Sequence, residues 1–190
     1  MNALQEPVLI AGTTSLVEFL PRIAERPYRL VLEGERVTGV VTPSDVVELP
    51  VRLLVFTLLL HLEEVMRSLI RSTVGDETAR RALQSNRREQ LGRTLKKRAS
   101  GLNPLPLDAT QFSDKATLLF LSALDQRQPG SPAAIRSFFY DLPNAVAHAH
   151  DYARDAASLE DFLGHIEQLH AWIEQLTEMI PPEDAAAATS

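Results

Sequence analysis

The chain has 190 residues, of which 45% are hydrophobic and 23% charged, and a formal charge of −6. This is globular composition, sized for one domain or two small ones. It contains no Cys, which excludes disulfide scaffolds, thiolate nucleophiles, cysteine–zinc sites and iron–sulfur clusters. The longest strongly apolar run, Leu53 to Leu62, spans ten residues and is interrupted by Thr57 and His61. A bilayer crossing needs ~20. The opening MNALQEPVLI carries no basic segment of the kind that begins a secretory signal. The expectation is a soluble cytoplasmic protein with no membrane contact.

Residues 8 to about 48 are rich in Val, Thr and Gly. VLIAG (Val8 to Gly12) reads as a short buried strand. TTSLVEFLPRIAER follows with Leu16, Phe19, Leu20 and Ile23 at helical spacing and Thr14 or Ser15 as N-cap. Pro21 falls inside that pattern, so this helix is kinked or short. YRLVLEG (Tyr28 to Gly34) and RVTGVVT (Arg36 to Thr42), separated by a tight turn at Glu33–Gly34–Glu35, read as a hairpin. The next helix begins near Ser44.

From Pro50 the pattern is helical to the end. Val51 to Thr73 predicts a long helix, apolar almost all round in its first half, as for a helix buried between units. A second, basic helix is expected over Asp76 to Ala99, stopped by Gly101 and Pro104. A third covers about Ala109 to Gln126, and a fourth opens near Ala133 after the PGSP loop. The fifth, SLEDFLGHIEQLHAWIEQLTEMI, takes Ser158 as N-cap with Asp161 three residues on. Its stripe of Leu169, Trp172, Ile173 and Leu176 is a core face. His165 and His170, five apart, lie on different faces and with Glu167 make an unconvincing metal site. Pro181–Pro182 stops the helix, and residues 183–190 read as a tail. The division expected is 1–50, 51–182 and the tail, with an α+β, mainly α, fold.

The charge is unevenly spread. Asp76 to Arg98 holds eight basic residues (Arg80, Arg81, Arg87, Arg88, Arg93, Lys96, Lys97 and Arg98) against three acids, a net +5 that leaves −11 for the remainder. Such an element is either a solvated helix face or an electrostatic footprint for phosphate.

GVVTPSD (Gly39 to Asp45) places a strand before Thr-x-x-Asp at a helix start. A helix N-terminus offers free N–H groups to a phosphate. The Thr42 hydroxyl can join them, and the Asp45 carboxylate can accept two bonds from ribose. Simple capping explains the same residues. With the β-α-β-β-α order, residues 8 to about 60 resemble a single CBS repeat. That resemblance implies pairing with a second copy, and an adenine nucleotide as regulatory ligand at Thr42 and Asp45.

In IRSFFYDLPNAVAHAHDYA (Ile135 to Ala153), Tyr140, Asn144 and His148 recur every four residues and share a helix face. His148 is the natural acid or base near neutral pH, and Asn144 can orient a phosphate or the imidazole. A polar stripe at a helix interface would look the same. NAVAH within this run resembles the Arg-Asn-x-x-x-His signature of HEPN domains, helical ribonucleases and RNA-binding modules, over roughly residues 50 to 180. Asn144 and His148 match the motif, but its Arg place holds Pro143. Pro supplies no forked cation for the scissile phosphate, and inside a helix it costs ~3 kcal/mol. Either a natural member has lost activity or a toxic nuclease has been inactivated. Glu63 or Glu64 and Arg67 match the family's supporting pair, and Glu63–Arg67 is also an ordinary i,i+4 ion pair.

The two resemblances together imply a homodimer. They imply an RNA-targeting protein of metal-independent endoribonuclease lineage, with no cofactor for chemistry. RNA's own 2′-OH is the nucleophile. A defence or stress toxin, with room for a separate antitoxin, fits this arrangement; a non-catalytic regulatory or scaffold dimer is the alternative.

Overall fold

The computed structural model describes residues 8–83, 88–89, 92–93, 107, 110, 112–122 and 155–181. They form an α+β protein, mainly helical. Strand β1 (Leu9–Ala11) leads through α1 (Leu16–Phe19) and a 3-10 turn (Leu20–Glu25) to β2 (Arg29–Glu33) and β3 (Arg36–Val41). A second 3-10 turn (Pro43–Val47) precedes α2 (Leu49–Thr73) and α3 (Asp76–Ala82). Helices α4 (Phe112–Ser122) and α5 (Ala156–Glu178) complete the described elements. None of the described helices is long and apolar enough to cross a membrane.

The three-stranded sheet runs β1-β2-β3, with β1 parallel to β2 and β3 antiparallel to it. Glu33 pairs with Arg36, so Gly34 and Glu35 alone form the turn. Gly34 has φ 62° and Glu35 does not enter positive φ, the combination a type II′ turn requires. The pairing jumps from Val31–Gly39 to Leu32–Val37, which makes Thr38 a bulge. Ser15 caps α1 by accepting from the Glu18 N–H at 3.2 Å. Pro21 then tightens the path into a 3-10 turn, because it has no N–H for an α-helical bond.

The described residues divide into two compact units, and the division falls within α2 and α5. In the first, residues up to Leu58 group with those from 155 to Leu169. Leu20, Ile23, Val46, Val55, Phe162 and Ile166 are among its buried side chains. Arg29, 4% exposed, ties the start of β2 to the first 3-10 turn. It donates to the Arg22 carbonyl at 3.1 Å and to Glu25 Oε2 at 2.7 Å, with the Phe19 ring 5.9 Å away. The second unit takes the described residues from Leu59 to Ser122 and from His170 on. Leu62, Met66, Leu69, Ile70, Leu118 and Leu119 are buried there. Each such side chain is worth roughly 1.5–3 kcal/mol in the apolar core.

Four expectations need correction. Strand β1 is half-buried to exposed and not buried. The first half of α2 is not buried all round. Val51, Val55, Leu59 and Leu62 face inward, but Leu49, Leu53, Phe56 and Leu60 are each more than half exposed. The basic segment is not one helix from Asp76 to Ala99. α3 ends at Ala82, where Leu83 is extended and its side chain buried; Ser85 and Asn86 follow, and such residues favour caps over helix interiors. Ser158 is not the N-cap of α5. Asp155 takes that place and Ser158 stands three residues on: the Ser158 N–H donates to Asp155 Oδ1 at 2.8 Å, and Ser158 Oγ accepts from the Asp155 N–H at 3.0 Å. The pair satisfies two terminal donors reciprocally. Other expectations hold: the hairpin, the shortened first helix, and the stripe Leu169, Trp172, Ile173 and Leu176, all buried.

Candidate functional site

Thr42 and Asp45 meet, but chiefly each other. Asp45 Oδ2 accepts from the Thr42 N–H at 2.6 Å and from Thr42 Oγ1 at 3.0 Å. Thr42 Oγ1 also lies 2.7 Å from Ser44 Oγ. Asp45 is thus the return half of a capping box at a five-residue 3-10 turn. Capping accounts for the residues that the sequence marks for ribose and phosphate. A ribose hydroxyl would have to use Oδ1 or displace the Thr42 bond.

The two residues between them, Pro43 and Ser44, line one wall of a groove of about 770 Å³ within the first unit. Pro21 and Ala24 extend that wall. α5 forms the other, with Leu159 and Leu163 buried one turn apart. An added Cβ on Gly164 would meet nothing within 4 Å, so the groove stays open there. Asp155, Glu160 and Glu167 also border it, and no Lys, Arg or His is among its described lining residues. Glu160 and Glu167 are exposed there, and like charge disfavours a phosphate beside them.

In the second unit one of the two acids offered for the supporting pair takes that place. Arg67 pairs with Glu64, one residue closer than Glu63. Glu63 instead accepts from Lys115 at 2.9 Å. Lys115 is 2% exposed. Its Nζ also donates to the Thr110 carbonyl at 2.9 Å, and Thr110 Oγ1 donates to the Leu107 carbonyl at 2.7 Å. An ammonium leaves water only where such acceptors replace its hydration. Sequence reasoning missed this clamp. Its one signal is a lone cation in the apolar run KATLLFLSAL.

Pro143, Asn144 and His148, with Tyr140, lie outside the described residues, as do Arg87, Lys96, Lys97 and Arg98. Arg80 lies within α3, and Arg81, Arg88 and Arg93 are exposed. Arg93 sits 3.6 Å from Glu89 across one helical turn, both widely solvated, a contact worth little. His165 and His170 are half-buried, and His170 Nε2 is buried without a hydrogen-bond partner. No group of three or more His, Cys, Asp or Glu suited to a metal occurs among the described residues.

Compared with family models, with curated proteins and with solved structures, the chain matches none.

Proposed function

We propose that the chain is a dimeric, RNA-targeting protein of HEPN-type endoribonuclease lineage, joined to a CBS-like regulatory module. The observation that carries the reading is the spacing of Asn144 and His148 within NAVAH. Three features of the chain support the remainder. The β-α-β-β order, with a parallel then an antiparallel pairing, suits a CBS half. The exposed stripe Leu49, Leu53, Phe56 and Leu60 suits a partner copy, since its spacing of four, three and four residues is that of a helix–helix seam. The exposed arginines Arg81, Arg88 and Arg93 suit phosphate.

In this reading His148 takes the proton from a ribose 2′-OH, which attacks the adjacent phosphate and expels the 5′-oxygen, and the imidazolium gives that proton to the departing oxygen. Asn144 orients the phosphate. The products are a 2′,3′-cyclic phosphate and a 5′-hydroxyl, and DNA is not cut. An adenine nucleotide at Thr42 and Asp45 would act as an allosteric ligand, favouring one arrangement of the dimer. Binding there has to compete with the capping bonds of Asp45.

The second reading, a non-catalytic RNA-binding or scaffold dimer, is favoured by Pro143 itself, which offers neither charge nor donor. One comparison separates the two. Pro143→Arg is expected to cleave single-stranded RNA to cyclic-phosphate ends, and His148→Ala in that background to abolish the cleavage. An inert Pro143→Arg chain that remains folded sinks the nuclease reading and leaves the scaffold.

A further inference from the structure

One set of apolar residues on α2 serves the chain's own interior and another does not. Val51, Val55, Leu59 and Leu62 are buried, whereas Leu49, Leu53, Phe56 and Leu60 are each more than half exposed. Large apolar residues aligned on one exposed helix face mark a protein contact. Their spacing of four, three and four residues reads the same from either end. A twofold axis midway between Leu53 and Phe56 therefore sets Leu49 against a second copy's Leu60, and Leu53 against its Phe56.

We propose that two copies associate through an antiparallel pairing of α2 over residues 49–60, about that axis. The proposal deepens the dimeric reading above and rests on it. Two observations select this occupant and this direction. In the antiparallel seam every layer is apolar against apolar, the self-complementarity that a twofold contact requires. The same spacing, continued three and then four residues past Leu60, arrives at Glu63 and Arg67. A parallel pairing would carry the seam onto them and strip water from ions already paired to Lys115 and Glu64. The antiparallel overlap stops where α2 begins, at Leu49, and leaves those ions outside it. Twelve residues of helix rise ~18 Å, a short contact of the weak, reversible class.

The chain has no Cys, so introduced thiols in the full chain report the pairing directly. L49C and L60C are oxidised singly and as an equimolar mixture, at roughly 100 μM because the interface is weak. Across the axis, position 49 stands ~17 Å from its own copy along the seam, as does position 60. A disulfide spans at most ~7 Å between Cα atoms. Each variant alone should therefore stay largely monomeric on non-reducing gels, and the mixture should give at least ~5-fold more covalent dimer. Charge exchange supplies a second measurement. L53E/F56E should weaken self-association at least ~10-fold. L53K/F56E opposes unlike charges across the axis, so it should regain most of that loss and forfeit the gain in about 0.5 M NaCl. All four positions are exposed, so these chains should keep the parental circular dichroism.

Covalent dimer from L49C or L60C alone at the yield of the mixture means a different register and overturns the proposal. So does a mixture that gives no more than its components, or L53K/F56E associating no better than L53E/F56E. Sedimentation of the unmodified chain separates this failure from that of the reading beneath it. A dimer that lacks the L49C–L60C cross-link sinks the seam alone, whereas a monomer sinks the dimeric reading with it.

Discussion

The sheet-bearing unit and the helical unit solve burial in different ways. In the first, β3 is exposed along most of its length, and Val37, Val40, Leu49, Leu53 and Phe56 all stand more than half in solvent. The second contains Leu62, Met66, Leu69 and Ile70 with no measurable exposure, and it can enclose an ammonium. A unit with water on both faces of a strand places its polar chemistry at turns and rims, as with Thr42–Asp45 and the groove carboxylates. Each unit also holds a charge inside it, Arg29 in the first and Lys115 in the second, and each is met by a carboxylate and a backbone carbonyl.

The contrast can be broken most forcefully at Lys115. Lys115→Ala removes the ammonium from Glu63 and Thr110 and leaves a void in the stem's place. A loss of about 3 kcal/mol is expected, below the cost for a fully enclosed pair because Glu63 is one-third exposed. Urea unfolding reads this as a lower midpoint at unchanged slope. A loss under about 1 kcal/mol would mean that the clamp contributes little.

The exposed seam gives the next effect. L53E/F56E should leave monomer stability within ~0.5 kcal/mol, as for surface changes. It should weaken self-association at least ~10-fold, about 1.4 kcal/mol, by sedimentation equilibrium. If association persists unchanged, this stripe is not the dimer seam. The smallest effect belongs to the cap of α5. Asp155→Ala should cost about 1 kcal/mol, and Ser158→Ala on top of it much less, because the two residues satisfy each other. Equal, additive losses would argue against a reciprocal box.

What the sequence made legible was local. The turn at Gly34, the 3-10 constriction at Pro21 and the Trp172 stripe each follow from residue types within a few positions. What it concealed depended on neighbours distant along the chain or on near-degenerate choices. Asp155 and Ser158 are equally good caps, and only position in the fold selects between them. Glu63 stands four residues before Arg67 in sequence but binds a lysine 52 residues away, and pattern reading sees only the former. In α2, apolar residues on both faces read as burial, although one face is wet. Of the candidate site, the spacing of Thr42 and Asp45 allowed both capping and ribose contact, and the capping bonds are the ones formed. Asn144 and His148 lie beyond the described residues.

The enclosed ammonium also divides the chain's amine chemistry. There are three lysines, Lys96, Lys97 and Lys115, and the last is sheltered from acylating reagents for as long as α4 stays packed. Its labelling rate should therefore follow transient opening of the helical unit, and trypsin should spare the Lys115–Ala116 bond until that opening occurs. A side chain chosen for cohesion thereby doubles as a native reporter of local unfolding.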